Sequence, residues 1–85
     1  MKIRLRYFAR LREAFETSGE EVVVPEEVCD IAALCAWLRS RGGVWATELA
    51  PGRAYRVALD QQMVGGHTRL HEGAEVALFP PVTGG

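Results

Sequence analysis

Gly84 and Gly85 close the chain, and past Thr83 it offers only backbone and a free carboxylate. Lacking Cβ, two glycines fit a channel too narrow for other residues and leave the terminal carbon open to a nucleophile. The carboxylate itself is inert: with a pKa of about 3.3–3.7 it is an anion at neutral pH and repels nucleophiles. Chemistry at Gly85 therefore requires activation by another protein, most simply as an acyl-adenylate, which makes the chain a carrier or substrate and not a catalyst. The residues ahead suit such a tip. Pro80 and Pro81 have fixed φ and no N–H, so they cannot extend a strand ladder, and each pushes the residue before it towards an extended form. Residues 80–85 should leave the body as a straight tail, reaching at most about 20 Å.

Nothing else in the chain makes a comparable case. His67 and His71 have the spacing of a helical metal pair, but Gly65, Gly66 and Gly73 around them argue for exposed loops, and no third ligand accompanies them. Cys29 and Cys35, if both lay on one helix, would be about 9 Å apart along its axis, too far for a disulfide. They suit small apolar packing roles in a reducing compartment. Glu20, Glu21, Glu26 and Glu27 are expected at the surface. Half of the ten basic residues (Lys2, Arg4, Arg6, Arg10 and Arg12) fall in the first dozen positions, as a docking patch for an acidic partner or, more simply, a solvated face. Phosphate loops, nucleophile elbows and paired carboxylates are missing, so no cofactor or metal is expected on this chain.

At 85 residues there is room for one domain, and a 48% hydrophobic, 25% charged composition is that of a folded one. A net charge of −1 carries no nucleic-acid footprint. No apolar run approaches the roughly 20 residues of a membrane span. Met1 and Lys2 lead directly into an alternating strand instead of a signal peptide, so a cytoplasmic location is expected.

Residues 2–8 alternate basic and apolar, a half-buried strand with Ile3, Leu5 and Tyr7 inward. A short helix over 10–16 carries Leu11, Ala14 and Phe15 at helical spacing, and a second strand over 20–24 stops at Pro25. Asp30 is suited to cap the main helix, along which Ile31, Leu34, Cys35 and Leu38 form an apolar stripe, with Arg39 and Arg41 in its last turn and Gly42-Gly43 closing it. Residues 44–49 add a helical turn in which Trp45 is a packing residue. Strands follow over 55–60, 62–64 and 74–79. The run Val76-Ala77-Leu78-Phe79 is apolar on both faces, which predicts a central strand buried on both sides. This order gives an α+β class: one mixed sheet with the main helix across one face, residues 1–79 as the domain and 80–85 as its tail.

Both ends of the chain resemble the small subunit of molybdopterin synthase, a ubiquitin-like sulfur carrier family. Tyr7-Phe8-Ala9-Arg10-Leu11-Arg12-Glu13 is similar to the family's opening, and Glu72-Gly73-Ala74-Glu75-Val76-Ala77-Leu78-Phe79-Pro80-Pro81-Val82-Thr83-Gly84-Gly85 to its closing motif. Ala74 stands where an acidic residue is common in the turn. The resemblance implies a β-grasp fold and a carboxylate on Gly85 that an ATP-using, ubiquitin-activating-like adenylyltransferase activates. A sulfur donor protein then converts it to a thiocarboxylate. It further implies a large synthase subunit as partner, usually in a heterotetramer of two small and two large chains. The catalytic residues would be the large subunit's, and the product the dithiolene built on a cyclic pyranopterin. Phe79, Pro80, Pro81, Val82, Thr83, Gly84 and Gly85 would seat the tail on that partner, with Phe8 and Met63 as a secondary apolar contact.

Three rivals stand beside this reading. The chain could carry sulfur for thiazole or transfer-RNA thiolation, although Phe79-Pro80-Pro81-Val82-Thr83 argues against that. It could be a ubiquitin-like modifier joined to protein lysines, or a β-grasp interaction module with an inert tail. A ferredoxin-type domain is disfavoured, since two cysteines cannot supply four cluster ligands.

Overall fold

Alternation of side chains across a strand decides the first element. In β1 (Lys2–Tyr7) Ile3, Leu5 and Tyr7 are buried while Lys2, Arg4 and Arg6 are exposed. The computed structural model describes residues 1–81. Along these the order is β1, α1 (Ala9–Phe15), β2 (Gly19–Val23), α2 (Ile31–Arg39), α3 (Gly43–Glu48), β3 (Arg56–Leu59), β4 (Gln62–Met63) and β5 (Glu75–Phe79).

The strands form one sheet in the order β2-β1-β5-β3-β4. β1 pairs antiparallel with β2 and parallel with β5, while β3 is antiparallel to both β5 and β4. The last strand is therefore central, as its apolar run predicts. It is not buried on both sides, however: Val76 and Leu78 are fully buried, whereas Ala77 and Phe79 are only partly covered. The buried helical side chains join the core on one face only, so the outer face of β5 is apolar without being roofed. The intervening α1 does not stop β1 and β2 from pairing as neighbours.

The main helix sits as expected. Asp30 caps it, its carboxylate accepting from the Ala33 N–H at 2.8 Å, and Ile31, Leu34, Cys35 and Leu38 enter a core shared with Ile3, Leu5, Val76 and Leu78. Burying a Leu of this kind stabilises by about 1.5–3 kcal/mol. The loop 65–70 straps the helix start, its Thr68 and Gly66 carbonyls accepting from the Ile31 and Ala32 N–H groups. A side chain at Gly66 would press on the Ala32 methyl at 3.3 Å.

Three details differ from the sequence expectation. Cys29 precedes the helix instead of lying on it, its carbonyl accepting from Leu70 N–H. The helix ends at Arg39 with Ser40 as its cap, which places Arg41 beyond the last turn. There Gly42, with φ +77°, becomes the entry residue of α3. Among the described residues no helix is long and apolar enough to cross a membrane, and no group of three His, Cys, Asp or Glu side chains could hold a metal.

Candidate functional site: the root of the C-terminal segment

Being central, β5 has neighbours on both sides up to its last residue. Phe79 is opposite Arg56 of β3, and on the other side the Phe8 N–H donates to the Leu78 carbonyl at 3.2 Å. Phe8 and Phe79 consequently meet, edge to face, with ring centroids 6.5 Å apart. The Arg6 guanidinium lies over the Phe8 ring, 5.6 Å from its centroid. Phe8 is 42% exposed and Met63 56%, large apolar side chains left to solvent on a chain with a complete core of its own. Pro80 and Pro81 are partly exposed. Of the sequence-predicted contact residues, the fold thus brings Phe8 and Phe79 together beside Pro80. Met63 sits on the edge strand of the same face, joined through the row Arg6, Ala77, Ala58 and Met63 that the register lines up across four strands. Val82, Thr83, Gly84 and Gly85 lie outside the described residues.

Tyr7, one residue before Phe8, points the opposite way and anchors this corner. It is 1% exposed, and its hydroxyl donates to Glu20 Oε2 at 2.7 Å. Arg41 forks onto both Glu20 oxygens at 2.8 and 3.1 Å, and its guanidinium lies 4.4 Å from the centre of the Trp45 ring. Trp45 in turn stacks on Phe15 at 3.8 Å, which meets Tyr7 edge-on at 5.0 Å. Trp45 is the packing residue expected. Glu20 is not the free surface acid expected: Arg41's hydrogen bonds hold its carboxyl below the usual range, with help from Tyr7, against the opposing effect of burial. Burial, then the hydrogen bond to Glu20, pushes the Tyr7 phenol well up. The signal for this cluster was available only in part, because nothing local links residues 7, 20 and 41.

A second place with chemically capable groups is a cleft of about 290 Å³ between α2 and β3, lined by Cys35, Tyr55, Arg39 and Val57. Burial raises the Cys35 thiol, and burial together with the hydrogen bond to Cys35 pushes Tyr55 up to about 12. Cys35 is buried and packs in the core cluster, as a small apolar side chain would. His71 is exposed as expected but not alone, since its Nε2 lies 2.6 Å from Asp60 Oδ2.

A mixed five-stranded sheet with its main helix across one face, and the last strand running down the middle parallel to the first, defines a ubiquitin-like β-grasp domain. Residues 5–85 match the ThiS family, and the chain belongs to that family. It is 35% identical, over 98% of its own length and 99% of the relative's, to the molybdopterin synthase sulfur carrier subunit of Escherichia coli (strain K12). Among solved structures it superposes on SAMP1 from Haloferax volcanii with a TM-score of 0.81, 21% identity and full coverage of both chains. It also superposes, with a TM-score of 0.68, 22% identity and full coverage of both chains, on a chain in the complex of subunits 1 and 2 of the molybdopterin-converting factor from Helicobacter pylori 26695.

Proposed function

We propose that this chain is the sulfur carrier subunit of a molybdopterin synthase. The observation that carries the reading is the end-to-end identity with a curated carrier subunit, 35% over 98% of the chain. The fold adds a reason: a central strand that delivers Phe79, Pro80 and Pro81 to an exposed aromatic corner. In this role the Gly85 carboxylate attacks the α-phosphate of ATP held by an adenylyltransferase, releasing pyrophosphate. A persulfide on a sulfur donor protein then displaces AMP, and reduction of the resulting acyl disulfide by a thiol leaves the thiocarboxylate.

Sulfur is softer and more nucleophilic than the oxygen it replaces, so the charged tip can attack an activated carbon of the cyclic pyranopterin precursor. Hydrolysis of the acyl link then leaves the sulfur on the pterin and returns the carboxylate on Gly85. This chain contributes the tip and the docking face. The chemistry of pterin binding and proton transfer belongs to the large subunit, and ATP to the activating enzyme. Val82, Thr83 and Gly84 complete the segment that the large subunit would enclose.

The test is an intact mass of the chain purified from its own host, with the terminal peptide sequenced. A mass gain equal to one oxygen exchanged for sulfur, located at Gly85, is expected. Deleting Gly85 or adding one residue after it should abolish dithiolene formation while the circular dichroism spectrum stays unchanged. Normal product from either variant overturns the reading, and adducts joined to protein lysines in place of a thiocarboxylate would make the chain a modifier.

A further inference from the structure

The basic residues of β1 are sorted by the strand register. Arg4 lies between two acids, Glu21 on β2 and Glu75 on β5. Arg10 donates to Glu48 at 2.9 Å. Arg6, in contrast, has Gly19 on one side and Ala77 on the other. Across β5, Arg56 stands opposite Phe79. Arg6 and Arg56 are both exposed, and among the described residues neither is in an ion pair. Ala77 and Phe79 of β5 lie between these two cations; Ala58 and Met63 continue the first row past β5, and Phe8 starts the second on the Arg6 side. A net charge of −1 hides this, because it sums over the whole chain, whereas on this face the register puts Glu21 and Glu75 beside Arg4 and none beside Arg6 or Arg56.

We propose that this face docks on a protein surface whose apolar pocket is bordered by carboxylates, one meeting Arg6 and another Arg56. The proposal rests on the function above and takes the partner to be the synthase large subunit that receives the tail. An apolar patch alone is non-directional and lets the domain rotate on its partner. Two guanidiniums on opposite sides of β5 fix the rotation, since each favours one carboxylate position and disfavours the wrong register. Rotation matters here because a narrow tail must be aimed from its root. The Arg6 guanidinium also already lies against Phe8 and so has less water to lose on docking. A pair of cations around an apolar centre does not track a phosphate backbone, which disfavours nucleic acid as the occupant.

The experiment is calorimetric titration of the full chain into the large subunit from the same organism, at several salt concentrations, with sedimentation of the chain alone. Affinity should fall as salt rises, and the double variant Arg6→Glu, Arg56→Glu should weaken it by about 30-fold or more. Arg4→Gln, a change between two acids on the same face, should leave it within about twofold. If charge reversal has no effect while Phe79→Ala weakens binding, the carboxylate border is wrong although the carrier role stands. If the unaltered chain does not bind the large subunit, both fall. Concentration-dependent dimers lost in the double variant would assign the face to a second copy and overturn the proposal.

Discussion

Phe8 and Phe79 meet with their rings 6.5 Å apart and 82° between planes, at the point where the central strand leaves the sheet. An edge-to-face pair of this kind contributes about 0.5–1.5 kcal/mol beyond its area. Here it sits at the surface, with Phe8 42% exposed and Phe79 half-buried, so part of the two rings' capacity to exclude water is unused in the free chain.

That unused surface gives the first prediction. Phe79→Ala should weaken binding to the synthase large subunit by about 10–100-fold, the range of an aromatic interface anchor. Phe8→Ala should act in the same direction and less strongly, because Phe8 follows the neighbouring β1 and is not on the strand that leads to the tail. Titration calorimetry measures both, and a melting temperature lowered by no more than the loss of this one ring pair would show that neither is needed for folding.

Tyr7 and Glu20 yield a stability prediction. Tyr7→Phe removes a hydroxyl hydrogen bond and should cost about 1 kcal/mol at neutral pH. Glu20 is held below its ordinary pKa by Arg41, so its contribution is present above that ordinary value and is lost as pH falls through the lowered one. Denaturant unfolding between neutral and acid pH should therefore show a steeper acid loss for the unaltered chain than for Glu20→Gln.

The His71–Asp60 pair predicts an NMR titration. Asp60's hydrogen bond, then the Glu72 carbonyl, raise His71; Asp60 is lowered by the Glu75 N–H and by His71. What the pair adds is full below the ordinary histidine value and disappears as pH rises through the raised one. On the acid side it is lost as Asp60 protonates below its lowered value. Asp60→Asn should bring the His71 midpoint down. An unmoved midpoint would show that the contact at 2.6 Å is not kept in solution.

Backbone strain near Phe8 supplies the last prediction. Ala9 has φ +52°, a conformation costing an L-residue roughly 1–2 kcal/mol. Ala9→Gly should raise stability, by up to about 1 kcal/mol once glycine's extra freedom in the unfolded chain is set against the relieved strain. Gly19→Ala should do the reverse, since its new Cβ would collide with the Leu5 carbonyl oxygen. Chemical denaturation separates the two signs.

How far each of these was legible follows from the range of the force involved. Local chemistry was plain in the sequence: the alternation of residues 2–7, the Asp30 cap, the stripe Ile31, Leu34, Cys35 and Leu38, and a final strand ending in Pro80-Pro81. A side-chain period of two or 3.6 and a missing N–H act within a few residues, so they leave a record in the order of letters. The proposed carrier segment, Gly84-Gly85 behind Pro80-Pro81, is likewise written directly in the letters. What joined Phe8 to Phe79, set Tyr7 on Glu20 and left Arg6 and Arg56 without acids was the pairing of strands far apart in the chain. That pairing is chosen by which register buries the core as a whole, and no short stretch encodes it. The sequence therefore determined the elements, and the tertiary structure alone decided which side chains surround the place where the C-terminal segment begins.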